Sequence, residues 1–395
     1  MRERSHSGHR ADHLQALTVR LQSRITCLGW KISSIFDCRR VRELQPEGSR
    51  YILLTMSSQP QSVPQLPPFV RIVQMATAYR FSRALYVAVE LGIADQLKDG
   101  AKSAEDLAAA TQTNADALFR LLRALATVGV FAEAGPREFA LTPLSDVLRS
   151  DVPGSVRPLV LMLAGDVHWS VYKELGYSVR MGQPAFDHVF GQELWDYLSG
   201  HPELSMLVDQ TMTVATRMVW PFIAGAYDFS KFETIIDIGG GAGELLAAIL
   251  KQHKRPRGIV FDLPHAIEHA RAAALLPEGR GELIAGSFFE AIPAGGDLYL
   301  MKMVVHDWPD EKARVILQKC RHAMSAKGTL LLIEGVVTSD PSSNLLKSSD
   351  LEMLVLQNGR ERTEEEFRNL LASAGFQLIR IIPANVTSII EASPI

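Results

Sequence analysis

Cysteine is almost missing from this chain: there are three in 395 residues, and two of them, Cys27 and Cys38, fall in the first 55, leaving Cys320 alone in the rest. A disulfide framework is thereby excluded for the body, and a reducing cytoplasm is the expected compartment. No apolar run reaches the roughly 18 to 20 residues that a membrane-spanning helix needs, so no membrane partner is expected. A secretory signal is excluded too, because Arg20, Arg24 and Lys31 interrupt every candidate apolar core near the start. A chain this long buries a substantial core without disulfides or metals, and no metal site is read. Nor is there a large excess of one charge. A formal net charge of -3, with 22% charged and 47% hydrophobic residues, fits neither wholesale disorder nor a supercharged nucleic-acid binder.

That average joins two unlike parts. Residues 1–55 hold ten Arg and Lys against five Asp and Glu, a net of +5, so -8 remains for the other 340 residues. Residues 1–67 are read as a leader, either a disordered or targeting tail or a start placed too far upstream. Met56, followed by the polar, proline-punctuated run SSQPQSVPQLPP, is the expected true first residue.

Residues 68–151 read as helix, turn, helix and wing. Phe69, Ile72, Val73, Met75, Ala76, Phe81, Ala84 and Leu85 recur at helical spacing, Ser103 caps a helix with an acidic first turn, and Gly135-Pro136 divides two short apolar runs. A winged helix invites a DNA-binding reading, but between Pro68 and Ser150 there are nine Arg and Lys against nine Asp and Glu. A duplex binder needs a basic face, so nucleic acid is not expected as a partner, and the apolar second helix is expected to pack, including against a second subunit. Residues 152–232 are a further helical segment. It collects aromatics and methionines, among them Trp169, Met212, Met218 and Trp220, that suit core packing and, together, the wall of a pocket for a flat apolar ligand.

From residue 233 onward, short Ile/Val/Leu runs alternate with helical segments, which predicts a buried, mostly parallel sheet with helices on both faces. The last two runs, joined by a short Pro/Ala/Asn connection, require one antiparallel strand. The first strand runs into Asp237-Ile238-Gly239-Gly240-Gly241-Ala242-Gly243. These glycines let the backbone turn tightly and approach a ligand, but their spacing fails the dinucleotide fingerprint, and Glu244 puts a negative charge where a pyrophosphate would lie. No Gly-Lys-Ser/Thr follows, so a phosphate-binding P-loop is excluded. Asp237 suits a cationic ligand, as in methyltransferases that use S-adenosylmethionine. Asp262, followed by Leu263, stands where a carboxylate can accept from ribose hydroxyls, and Gly286-Ser287-Phe288-Phe289 closes the third strand where adenine would lie.

The fourth strand ends in Lys302-Met303-Val304-Val305-His306-Asp307-Trp308. At this point the chain resembles the plant caffeate, acetylserotonin and bacterial small-molecule O-methyltransferases. DIGGGAG, FDLPH, GSFFE, the Lys-x-x-x-His-Asp-Trp segment, LLIEGVV and GRERTEEEF stand in that family's order over residues 68–395. The resemblance implies a Rossmann-like class I methyltransferase sheet behind an N-terminal winged-helix dimerisation domain, working as a homodimer with S-adenosylmethionine. It implies His306 as general base, Glu334 and Glu361 flanking and orienting it, and Lys302 beside the cofactor. It also places Gly239, Asp262, Ser287 and Phe288 at the cofactor. From the residues themselves come Asp237, Gly241, Leu263 and Gly286 at the cofactor, Asp307 beside the base, and Trp169, Met212 and Trp308 at the acceptor pocket. Chemistry agrees, since an imidazole can take the proton of a phenol as its oxygen attacks the methyl group. The acceptor is thus expected to be a small, aromatic hydroxyl compound. Two other readings stay open: a relative with the same cofactor that hydroxylates or decarboxylates, and a winged-helix regulator that senses the cofactor.

Two departures matter. Met303 stands where several members carry Arg, and Ser287 where many carry Asp, which keeps an acceptor for adenine but loses its charge. Restoring the charge with Ser287→Asp is expected to tighten cofactor binding about 5- to 10-fold, the difference between a charged and a neutral hydrogen bond; calorimetry showing unchanged or weaker binding would refute this. A chain that starts at Met56 is expected to be fully active, and loss of folding or turnover on that truncation would overturn the leader reading.

Overall fold

The computed structural model describes residues 66–341 and 344–395. The leader, and with it the start expected at Met56, lies outside the described residues apart from Leu66 and Pro67.

Helices α1 (Pro68–Thr77), α2 (Tyr79–Glu90) and α3 (Ile93–Gln96) open the chain, followed by the short strand β1 (Lys102–Ser103). The Ser103 hydroxyl accepts from the Asp106 N–H and starts α4 (Ala104–Thr111); the Asn114 side chain does the same for α5 (Ala115–Ala126). Strands β2 (Phe131–Gly135) and β3 (Glu138–Leu141) form the wing, and β1 adds to β3 to make a three-stranded antiparallel sheet. Leu107, Leu118, Leu122, Leu125, Phe131 and Phe139 pack into one core, which confirms the helix-turn-helix-wing order. By contrast, α1 buries none of its residues within the chain, and Phe69, Ile72, Val73 and Met75 face outward.

Short helices follow: α6 (Pro143–Asp146), α7 (Arg157–Leu163), α8 (Asp166–Lys173), α9 (Leu175–Met181), α10 (Ala185–Phe190) and α11 (Leu194–Ser199). The long α12 (Pro202–Ala226) then leads to the sheet. Phe186, Phe190 and Tyr197 pack ring to ring here, so part of the aromatic supply does serve as core.

The sheet has seven strands in the order β11-β12-β8-β7-β4-β5-β6, with β4 (Thr234–Ile238), β5 (Arg257–Asp262), β6 (Gly281–Ala285), β7 (Leu298–Lys302), β8 (Thr329–Glu334), β11 (Phe376–Ala384) and β12 (Thr387–Pro394). All neighbouring pairs are parallel except those of β12, which runs antiparallel to both β8 and β11. Alternate residues fill two cores: Tyr299 and Met301 of β7 join one, Leu298 and Leu300 the other. Helices α13 (Glu244–Gln252), α14 (Pro264–Ala273), α15 (Asp310–Ala323), α16 (Asn344–Leu356) and α17 (Glu364–Ser373) complete the fold, together with the small parallel pair β9 (Val336–Val337) and β10 (Arg362–Thr363). Because β4 pairs with β5 on one side and β7 on the other, the chain diverges at the carboxyl ends of β4 and β7. A crevice opens where strand order reverses in this way, and ligands of such sheets bind there. Among the described residues no helix is long and apolar enough to cross a membrane.

Candidate active site

A cavity of about 1130 Å³ occupies that crevice, walled by the ends of β4, β5 and β7 on one side and by α7, α8, α12 and α16 on the other. At its sheet end the glycine loop leaves β4. Gly239 and Gly241 hold φ of 67° and 53°, in the left-handed region, and a Cβ on Gly239 would come within 2.7 Å of the Val304 side chain. The Gly241 N–H donates to Asp262 Oδ2 and the Leu263 N–H to Asp262 Oδ1, so the loop and the end of β5 are tied through one carboxylate. Burial pushes Asp262 up to about 6 against those two donors. Asp237 is fully enclosed, and its Oδ2 has no hydrogen-bond partner. Burial pushes it up to about 7, with Lys302 acting in the opposite sense, while burial lowers Lys302 itself.

Beyond Gly286, the Ser287 hydroxyl accepts from the Phe289 N–H, and Phe288, Phe289 and Trp308 meet edge to face with centroids 4.8 to 6.1 Å apart. A glycine cradle, an unpartnered buried carboxylate and a flat aromatic wall fit a nucleoside that carries a cationic chain.

At the end of β7 the backbone turns through Met303, whose φ of 54° is strained for a residue with a side chain, and enters a single 3-10 turn, Val305–Asp307. The turn presents His306, 5% exposed, to three carboxylates. Glu361 Oε1 lies 3.2 Å and Glu334 Oε2 3.9 Å from its Nδ1, and Asp307 Oδ1 lies 3.4 Å from its Nε2. Glu334, wholly buried, is held by the Val304 and Val305 N–H groups, which donate to its Oε1 at 3.1 and 2.9 Å. Burial alone would lower the imidazole pKa, but Glu334, Asp307 and Glu361 outweigh it and raise it to about 10. Burial likewise pushes Asp307 to about 6 and Glu334 upward.

The structure thus gathers Asp237, Gly239, Gly241, Asp262, Leu263, Gly286, Ser287, Phe288 and Lys302 around one end of the cavity. His306, Asp307, Trp308, Glu334 and Glu361 lie beside them, and Met212 stands on the facing wall. Trp169 is the exception. It is 41% exposed, stacks outside the cavity against Tyr79 and Arg83, and leaves the lining position to His168 before it. Adjacent helical residues point about 100° apart, so the aromatic count marked the correct helix and the wrong face. Unforeseen were Gln357, whose amide donates to Asp307 Oδ1 at 3.1 Å, and Asp209, which lines the cavity near Gly241 and pairs with His269 of α14. Also unforeseen was the pair His168 and Glu352. Each depends on helices brought together from distant parts of the chain.

This cavity, with a cradle for a nucleoside cation at one end and a histidine among carboxylates beside it, is that of a group-transfer enzyme. Comparison with known proteins makes the class definite. An O-methyltransferase domain matches residues 172–377 and an O-methyltransferase dimerisation domain residues 73–151. Phenazine O-methyltransferase PhzM of Lysobacter antibioticus is 42% identical over 82% of this chain and 96% of its own. O-demethylpuromycin-O-methyltransferase of Streptomyces alboniger is 41% identical over 82% and 89%. The O-methyltransferase NcsB1 from neocarzinostatin biosynthesis, solved with S-adenosylmethionine and 2-hydroxy-5-methyl naphthoic acid, superposes with a TM-score of 0.71 at 33% identity over 80% of this chain and 96% of its own. The chain belongs to the O-methyltransferase family of small-molecule, secondary-metabolite methyltransferases, and S-adenosylmethionine is its cofactor.

Glu334→Gln keeps the oxygen that accepts from Val304 and Val305 but removes the charge that raises His306. Its imidazole, followed by NMR titration with His306→Ala as the assignment control, should titrate below the value of about 10 in the parent protein. An unmoved titration would mean that Glu334 does not set the basicity of His306.

Proposed function

We propose that this enzyme methylates a hydroxyl of a small aromatic acceptor, with His306 receiving the hydroxyl proton, and that it works as a homodimer in the cytoplasm. One observation carries this reading: the histidine enclosed by three carboxylates opens onto the same cavity as the glycine loop and an apolar chamber. The cofactor, when bound, supplies the methyl group. Asp237, the backbone of the glycine loop and Asp262 would hold it, with Phe288 and Ser287 beside its base.

The chain itself has to align the acceptor oxygen and take one proton. A phenol titrates near 10 and a free imidazole near 6.5, and the carboxylates that raise His306 narrow that gap for a transfer to the neutral ring. Glu361 and Glu334 stabilise the imidazolium that forms, and Glu361 fixes the ring through Nδ1. Met212, Met353 and Leu356, which line the same cavity as His306, give an adaptable apolar surface for a flat ring, and a ring seated there displaces water from the proton transfer. For the dimer, the support is the match of residues 73–151 to the dimerisation domain, together with the outward apolar face of α1, which leads into that segment. For the compartment, it is that Cys320, the cysteine among the described residues, is a buried free thiol.

His306→Ala should reduce turnover of a phenolic acceptor by about 100-fold or more, the usual contribution of a positioned base, while S-adenosylhomocysteine binds as in the parent. Turnover within a few-fold of the parent would show that another group takes the proton.

A further inference from the structure

The far end of the cavity carries a second charged cluster that the chemistry above does not use. His168 of α8, 7% exposed, and Glu352 of α16 both line the cavity, with His168 Nε2 2.6 Å from Glu352 Oε1. The two atoms are in contact but out of alignment for a hydrogen bond, and each is buried without a hydrogen-bond partner. The other carboxylate oxygen, Oε2, accepts from the Tyr172 hydroxyl at 2.6 Å. Although burial opposes it, the neighbouring His168 and the Tyr172 hydroxyl lower the Glu352 pKa, so the group is an anion at neutral pH.

Stability does not account for such a cluster. A buried ion pair gains little over well-packed apolar residues, and a half-satisfied polar network is worse than none. Apolar side chains, among them Val167, Met162, Met353 and Leu356, line the same cavity. The position of the cluster in the cavity is defined by α16. Gln357 follows Glu352 by five residues, a rise of roughly 7.5 Å, and Gln357 is the group that donates to Asp307 beside His306. Along α16, Glu352 and the residue that donates to Asp307 are thus offset by a rise that matches about the length of a fused two-ring aromatic, and Met353 and Leu356, which fall between them in the chain, line the same cavity.

We infer that His168 and Glu352 form the distal subsite for the acceptor and select a bicyclic aromatic with a second hydrogen-bond donor, a hydroxyl or amino group, remote from the hydroxyl that is methylated. A carboxylate has only acceptor oxygens, so Glu352, whose Oε1 lacks a hydrogen-bond partner, recognises a donor and leaves that oxygen unsatisfied against a ring that lacks one. The inference rests on the cavity being the acceptor site of a methyltransferase.

The test is calorimetry on the full chain saturated with S-adenosylhomocysteine, using 2,7-dihydroxynaphthalene, 2-naphthol and 6-hydroxy-2-naphthoate as probes. The parent should bind the diol at least about tenfold tighter than 2-naphthol, as expected for a hydrogen bond to a charged group. In Glu352→Leu the two affinities should converge to within about twofold, with S-adenosylhomocysteine affinity unchanged. Glu352→Gln preserves the shape and an oxygen for Tyr172, and should show a reduced preference; if the leucine variant does not fold, an undiminished preference in the glutamine variant overturns the inference. Tightest binding of the naphthoate would also overturn it, by making His168 the reading group for an anion. So would failure of all three probes to bind while S-adenosylhomocysteine still does. Failure to bind S-adenosylhomocysteine at all would instead overturn the proposed function, and this inference with it.

Discussion

The active site depends on a guanidinium that never meets the acceptor. Arg362 is entirely buried, and its donors are used on the chain around His306: Nη1 donates to the Val305 carbonyl, Nη2 to the Trp308 carbonyl, and Nε and Nη2 to Asp310 Oδ1. An uncompensated buried charge is destabilising by about 3–5 kcal/mol when its partner is lost, so the segment 305–310 can hardly move away from β10 while the protein stays folded. The same two segments are joined by the Arg360 N–H, which donates to the His306 carbonyl at 2.8 Å. They approach so closely that Gly359 has no room for a Cβ against that carbonyl. Glu361 lies between Arg360 and Arg362, and is delivered to the imidazole by the two residues that hold its neighbours.

This clamp explains how the strained turn at Met303 persists. Left-handed backbone at a residue with a side chain costs about 1–3 kcal/mol, and it is maintained here from both sides: the Met303 N–H donates to the Ile333 carbonyl in the sheet, and Arg362 holds the turn beyond it. The benefit is position. The turn aims His306 back over the end of β7 toward the glycine loop, and it frees the Val304 and Val305 N–H groups to anchor Glu334 from β8. The ends of two adjacent parallel strands thus supply His306 and one of the carboxylates beside it, and the connection before α17 supplies another.

Much of this site could be read along the chain because its parts are local. The apolar runs of β4, β7 and β8, the glycine loop and the His306-Asp307 segment each announce themselves within ten residues, and strand order then brings their ends together. What could not be read depended on partners far away in sequence. Glu361 among Arg360, Arg362 and several acids looks like a solvated turn until Arg362 is seen to be buried. Trp169 and His168 differ by one residue, and only the seating of α8 against α16, nearly 180 residues later, decides which of them faces the cavity. Asp209 and His269 meet because α12 crosses α14, which no local pattern encodes. The net charge of -8 is similarly uninformative until it is located: part of it consists of Asp237, Asp262, Asp307, Glu334 and Glu361, all enclosed around one crevice.

That concentration of acids raises a question of proton accounting. A base works best with a pKa near the working pH, yet His306 sits near 10, so in this state it is an imidazolium at neutral pH. The acids that face it are displaced upward as well, Asp307 to about 6 and Glu334 in the same direction, because burial penalises so many negative charges in one place. The groups therefore titrate as a coupled set, and the proton on His306 belongs to the cluster rather than to the ring. The enclosure that makes the carboxylates uncomfortable is what couples them, and the same enclosure keeps water from dissolving that coupling.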